Sequence, residues 1–395
     1  MTEFEILVAL GANEPFNDLP NVRIENLVPQ PERTEARFDA RFDLRFGGAK
    51  VEVYAEIKNT CTPKQVEQIA PWLSRFKATQ KDAVFALVCP ALSPQSQKLC
   101  LDRDVDFIDL AGNVYINVPG KLLLQRVGMA ARKEAGPSFY RNPFSGKSSR
   151  ILRVLLQKPM ESKPGGMRPV DVFLVNRPMI DKPRSWTLSQ ITEELAAESR
   201  RVQCPGISFE VSSSLASRVL RSLEEELLVM RKDLSVLVPD PRRLLLRWAQ
   251  EYKGRYRWYL RRSFKISNPF GANLESVQQD LDRLLRPQCC YAFTGAAAAS
   301  KAAPLVDVDP IDLYISDETG AQNLRASISG ASIGPDLRVI YPFDAGVFLY
   351  SSRRGETRMV SDIQAYLDLF ARGGRELKQA DYLLEQRIEP NWRSG

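Results

Sequence analysis

Along Val51–Lys58 apolar and polar side chains alternate strictly. Val51, Val53, Ala55 and Ile57 share one face of a strand, and Glu52, Tyr54, Glu56 and Lys58 share the other. A second strand is predicted just before it, over 37–46. Helical spacing of Val66, Ile69, Ala70, Leu73 and Phe76 predicts a helix over Pro63–Lys77. The apolar run Ala83–Cys89 reads as a buried strand, Ser93–Arg103 as a helix capped by Ser93, and Asp106–Leu110 and Val114–Val118 as strands about a Gly112-Asn113 turn. Strands alternating with helices predict an α/β domain over residues 1–135 with helices on the faces of a parallel or mixed sheet.

The pattern changes after a Pro/Gly/Ser-rich stretch at 134–148. Ser149–Gln157 has a helical stripe of Ile151, Leu152, Val154 and Leu155. Residues 159–185 read as an insertion with a loop or hairpin near Val170–Val175. A helix opens at Thr187, with Leu188, Ile191 and Leu195 facing inward. After a break at 199–211, Ser212–Glu226 forms another, and Leu227–Arg231 and Ser235–Val238 form a hairpin around Lys232-Asp233. Helix, helix, break, helix, hairpin is the order of a winged helix-turn-helix, assigned to residues 145–240. Its third helix would present Ser213, Ser214, Ser217, Arg218 and Arg221 to DNA, with Lys232 in the hairpin.

Residues 241–395 read as a third, α/β region. It opens on an aromatic and basic helix, Pro241–Tyr259, and continues through helix Leu274–Leu285. Strands are predicted at Cys290–Thr294, Ile311–Ser316, Val339–Tyr341 and Val347–Ser351, and closing helices at Val360–Ala371 and Arg375–Ile388.

With 395 residues, two or three domains are expected. The net charge is +7, and the stretch Asp240–Lys265 alone holds nine basic residues against two acidic ones, an excess equal to that of the whole chain. Arg242 and Arg243 open this stripe, which suits a polyanion. There is no histidine, so Ser-His and Cys-His nucleophiles and imidazole acid–base chemistry are excluded. Six cysteines (Cys61, Cys89, Cys100, Cys204, Cys289 and Cys290) form no CxxC pair and read as reduced thiols. The N-terminus is acidic where a secretory signal is basic, and no apolar run reaches membrane-spanning length, so a cytoplasmic protein with no membrane partner is expected.

Asp43 on one strand and Glu56-x-Lys58 on the next make a ligand set for a metal-dependent nuclease. The two carboxylates would hold Mg²⁺, and the lysine would assist an attacking water. With Gln65 and Gln68 on the following helix, these residues resemble the restriction-endonuclease-like fold. A third candidate is Thr294-Gly295 with Asp307, Asp309 and Asp312. It resembles a nucleotidyltransferase core and is read as a degenerate, inactive relative, because Pro310 and an alanine run interrupt it.

Taken in order, SWTLSQITEELA, VSSSLASRVLRSLEEELLV, DPRRLLLRWAQEY, YAFTGAAAASKAAP and VSDIQAYLDLFARGGRELKQADYLL resemble the AbiEi-type antitoxin and transcriptional-regulator family of type IV toxin–antitoxin systems, over roughly residues 145–390. DVDFIDLAGNVYINVPG (104–120) is similar to the stretch that precedes the winged helix in longer members. The resemblance implies a repressor that binds duplex DNA without a cofactor and opposes a nucleotidyltransferase-like toxin. A second copy of the chain is a further candidate partner. The expectation is a DNA-binding regulator first, and a Mg²⁺-dependent endonuclease targeted by the winged helix second.

Overall fold

The computed structural model describes residues 1–30, 38–129, 142–157, 184–202, 204, 206–286, 289–300, 307–328, 330–354 and 357–393. The expected hairpin near Val170–Val175, the first half of the 134–148 linker and the first residue of the 37–46 strand lie outside them. The described residues form a mixed α/β protein with three sheets. They divide into two compact units, Met1–Phe139 with Glu224–Leu227, and Tyr140–Leu223 with Leu228–Gly395.

In the first unit the elements run α1 (Glu3–Gly11), β1 (Val22–Pro29), β2 (Ala40–Phe46), β3 (Ala49–Ile57), α2 (Pro63–Thr79), β4 (Ala83–Cys89), α3 (Pro94–Asp102), β5 (Asp106–Asp109), β6 (Val114–Val118) and β7 (Leu122–Arg126). The seven strands lie in one sheet in sequence order. β3, β4 and β5 are parallel, and the outer pairs are antiparallel. The parallel centre follows from the crossovers: α2 and α3 each return the chain to the same end of the sheet. The alternation of β3 is realised, with Val51, Val53, Ala55 and Ile57 buried and the intervening residues partly exposed.

Thr62 and Gln65 close a reciprocal capping box at the start of α2, and Ser93 caps α3 as its position predicts. In the 104–120 segment Asp109 is fully buried. Its carboxylate accepts from the backbone N–H groups of Leu92 (2.9 Å) and Asn113 (2.8 Å), so this acid stitches a turn together.

The second unit runs α4 (Ser149–Gln157), β8 (Arg184–Thr187), α5 (Leu188–Val202), α6 (Ser213–Glu225), β9 (Met230–Lys232), β10 (Ser235–Val238) and α7 (Pro241–Arg261). It continues with β11 (Phe264–Ile266), α8 (Leu274–Leu285), β12 (Tyr291–Phe293), α9 (Gly295–Ala299), β13 (Ile311–Ile315), α10 (Glu318–Ser327), β14 (Leu337–Ile340), β15 (Ser352–Arg354), β16 (Thr357–Met359), α11 (Asp362–Arg372) and α12 (Arg375–Leu383). β8, β10 and β9 form a small antiparallel sheet beside α4, α5 and α6. The other six strands form a mixed sheet in the order β11-β14-β13-β12-β16-β15.

Residues 145–240 and 241–395 share one continuous hydrophobic core, from Ile151 and Leu220 through Trp248 to Trp392. α4 is buried along nearly its whole length, its two arginines included. The strand expected at Val347–Ser351 is a correction. Asp344 accepts from the N–H of Gly346 (2.8 Å) and winds Ala345–Phe348 into a 3₁₀ turn instead.

Cys204 and Cys290 are disulfide-bonded across 86 residues, with Cα atoms 5.0 Å apart. This corrects the expectation of six reduced thiols; Cys61, Cys89, Cys100 and Cys289 are free and buried. The pairing was illegible because the two residues meet only after α5 and β12 dock. No helix among the described residues is long and apolar enough to cross a membrane.

Candidate functional site

Two surfaces carry the candidate chemistry, one in each unit. In the first unit Glu56 and Lys58 share the polar face of β3, as alternation requires, and their side chains pair. The Glu56 carboxylate is mostly covered, at 17% exposure, and Lys58 is 34% exposed.

Asp43 is not beside them. It pairs with Glu52 across the β2–β3 hairpin, four residues from Glu56, or roughly 13 Å along a strand. Its carboxylate is occupied by the Asn26 amide (2.6 Å) and the Lys50 ammonium (3.0 Å). Burial pushes its pKa up, but those two donors outweigh burial and hold it below the usual carboxylate range.

The acid that does accompany Glu56 is Asp39. It sits one step beyond the last paired residues, Ala40 and Ala55, and so on the face of Glu56. Its carboxylate accepts from the N–H of Ile57 at 2.7 Å. The signal was present in the sequence. Gly47-Gly48 makes a two-residue turn pairing Phe46 with Ala49, and counting back from it places Asp39 opposite Glu56.

Burial raises the pKa of Glu56. The Lys58 contact opposes this, and Asp39 and Glu3 (in the first turn of α1) add to it. Burial works to lower the Lys58 pKa, but the hydrogen bond to Glu56, with the charges of Glu56 and Asp39, outweighs it and leaves it raised. Gln65 is committed to the α2 cap, accepting from the Thr62 N–H at 2.9 Å, and Gln68 faces solvent. Among the described residues no three or more metal-binding side chains converge. Two carboxylates side by side do match the sparse protein ligation of Mg²⁺, which keeps waters and takes substrate phosphate oxygens.

In the second unit α6 buries Leu215, Ala216, Val219, Leu220 and Leu223. The same periodicity leaves Ser213, Ser214, Arg218 and Arg221 exposed and Ser217 partly so. Acids on this helix begin only at Glu224. Ser212 accepts from the N–H of Leu215 (3.2 Å), and the Nε of Arg218 donates to the Ser214 carbonyl (3.3 Å). The β9–β10 hairpin places Lys232 and Leu234 at an exposed tip, where Leu234 is 86% accessible.

The basic helix α7 resolves into two faces. Trp248, Tyr252, Tyr256 and Tyr259 point into the core, while Arg243, Lys253, Arg257, Arg261 and Arg262 are exposed. Arg242 is tied to Glu389 at 2.8 Å and is less available to a polyanion than the sequence implied.

The nucleotidyltransferase-like set does not assemble. Asp307 and Asp309 are exposed and precede β13. Asp312 is buried on β13 and held by Arg338 (2.7 Å) and by Arg372. Thr294 donates its hydroxyl to Asp368. Gly295 turns with φ +57°, and a Cβ there would lie 3.2 Å from the Asp312 carboxylate, so this glycine serves close packing.

No family model matches the chain, and no curated protein matches it. Among solved structures, the chain is similar to one described as "Structure of EndoMS in apo form". The likeness covers 28% of this chain and 46% of that one, at 15% identity and a TM-score of 0.21. The matched part is thus under half of that chain, and a likeness so shallow carries no argument about fold or function.

Proposed function

We propose that this protein binds duplex DNA through α6 and the β9–β10 hairpin, as a winged-helix regulator. The observation that carries this reading is the exposed face of α6, where three serines and two arginines precede the helix's first acid, Glu224, beside a hairpin whose exposed tip carries Lys232 and Asp233. Arginine reads guanine edges and phosphates, and serine donates to phosphates or bases. The exposed arginines of α7 add charge without sequence preference. The ordered resemblance to AbiEi-type regulators supports the narrower reading of an antitoxin-like repressor with a nucleotidyltransferase-like toxin as partner.

The test uses labelled duplex DNA from upstream of the gene, with unlabelled random competitor, on native gels. A specific shift, weakened by Arg218→Ala with Arg221→Ala, is expected. Equal binding by the variants and the wild type would overturn the reading.

A second reading rests on Asp39, Glu56 and Lys58 and on the α/β sheet that carries them, which supports a restriction-endonuclease-like unit. Asp39 and Glu56 would hold Mg²⁺, which would supply an activated water and charge stabilisation at a phosphate. Lys58 would then face the same phosphate as a point charge. Denaturing gels of the same reactions with Mg²⁺ decide it: strand scission lost on Glu56→Ala supports a nuclease, and intact strands reject one.

A further inference from the structure

Arg153, on α4, is 3% exposed. Its Nη2 donates to the Gln364 side-chain oxygen at 2.6 Å, and its guanidinium lies over the Trp248 ring, 5.0 Å from the centroid. Its Nε and Nη1 have no hydrogen-bond acceptor among the described residues. Burying a guanidinium with unmet donors is costly, because the lost hydration is not replaced.

The carboxylates nearby cannot repay it. Asp344 is held by Arg150 at 3.0 and 2.6 Å. Asp368 accepts from Tyr252 (2.6 Å), Tyr314 (2.9 Å) and Gln364 (2.9 Å). The buried charge therefore has no counter-ion of its own.

Arg153 lines a cavity of about 330 Å³. The walls are aromatic: Phe144, Tyr259, Trp258 and Phe343. Trp258 and Phe343 stand at the rim, 57% and 51% exposed, which is unusual for rings of that size. Arg261 lies over Trp258 at 4.7 Å and Arg262 over Phe343 at 5.3 Å. A second guanidinium lining the cavity, that of Arg255, is half-buried, and its charge also acts on Glu251 one turn earlier on α7. The volume sits at the lower end for small-ligand pockets, roughly 300–1,000 Å³.

We propose that this cavity binds a nucleotide, with the base against the Trp258, Tyr259 and Phe343 rings and the phosphate neutralising Arg153 and Arg255. Two guanidiniums suit a dianionic phosphate, and the flat aromatic walls suit a base. Two sources share this chemistry: a free mononucleotide, and an unpaired nucleotide of a nucleic-acid strand. None of the residues lining this cavity is on α6, and the proposal does not rest on the duplex-binding reading.

Trp258 at the rim provides the readout. The full-length protein is titrated with AMP, GMP, CMP and TMP, with inorganic phosphate and with a short single-stranded oligonucleotide, while tryptophan fluorescence is followed. Saturable quenching by at least one mononucleotide or by the oligonucleotide is expected. Tighter binding of the monomer identifies a free effector, and tighter binding of the oligonucleotide identifies a strand pocket.

Arg153→Met removes the charge at similar volume and is expected to weaken binding roughly tenfold or more without lowering the melting temperature. Arg255→Ala and Trp258→Ala, at accessible positions, are expected to weaken it independently of any folding defect. Absence of saturable binding, binding equal to that of inorganic phosphate, or unaltered affinity in well-folded Arg255→Ala and Trp258→Ala would each overturn the assignment.

Discussion

The carboxylate of Asp39 accepts a hydrogen bond from the backbone N–H of Ile57 at 2.7 Å, which fixes an acid against Glu56 on the neighbouring strand. If strand scission is detected, Asp39→Asn and Glu56→Gln are each expected to lower it by roughly 100-fold or more, the scale of losing one charge-stabilising group. Asp43→Asn is expected to leave it within a few-fold of wild type. A Mg²⁺-dependent nicking assay on the three variants checks the assignment. Because burial holds the Glu56 pKa above its ordinary value, any cation affinity at this pair is expected to fall as pH drops through the mildly acidic range.

Duplex affinity should depend steeply on salt, since exposed arginines on α6 and α7 displace counterions. Arg218→Ala and Arg221→Ala are each expected to cost about 1–3 kcal/mol of sequence-specific binding if they reach base edges. Arg242→Ala should cost less, because Glu389 already holds that guanidinium. Fluorescence anisotropy over a salt series separates the two effects: a phosphate contact lowers the salt slope, and a base contact changes the sequence preference.

Burial pushes the Asp368 carboxyl up to about 6, well above the ordinary carboxylate range, against four hydrogen bonds that favour the carboxylate. A carboxyl whose folded pKa is raised binds its proton more tightly when folded. Its stabilising contribution is complete below about pH 4 and is lost as pH rises through about 6. The amount at stake is about 3 kcal/mol. Chemical unfolding at pH 4.5 and pH 7 should show this component, and Asp368→Asn should remove it.

Arg150 and Asp344 form a buried bidentate pair, and Arg150 also donates to the Ser208 carbonyl at 2.9 Å. Arg150→Ala is expected to destabilise the second unit by about 3–5 kcal/mol, because it strands a carboxylate. Replacing both partners with apolar residues should recover much of the loss. Thermal melts of the single and double variants check this.

The Cys204–Cys290 bond closes a long loop within the second unit. Thiol titration of the denatured, non-reduced protein should find four reactive groups, and reduction should lower stability by an amount on the order of 4 kcal/mol. Six reactive groups would contradict the pairing.

The central strands and helices were legible because their periodicity is uninterrupted, as in Val51–Ile57 and Ala83–Cys89. β1 was missed because a bulge between Glu25 and Val28, with Asn26 at φ +54°, breaks the alternation. β8 is four residues long and runs directly into α5, so only its pairing with β10 reveals it. At the carboxylate pair, face parity correctly placed Glu56 with Lys58, but parity alone cannot choose between Asp39 and Asp43; that needs the register fixed by Gly47-Gly48. Arg153 left no signal, because a basic residue at helical spacing reads as solvated until the surrounding elements are in place.

The burial of α4 also sets a timetable for synthesis. Arg153 meets Gln364 across 211 residues, and the Leu156 carbonyl meets the Trp392 indole across 236. At about 5–20 residues per second, the helix waits roughly 10–50 s on a translating ribosome before its last partners exist. Through that interval its apolar stripe and two arginines have only part of their final covering, whereas every strand of the first unit's sheet has already been made. Termination between Gln157 and Trp392 would therefore leave a complete first sheet tethered to an exposed, adhesive helix, a product suited to capture by chaperones and proteases.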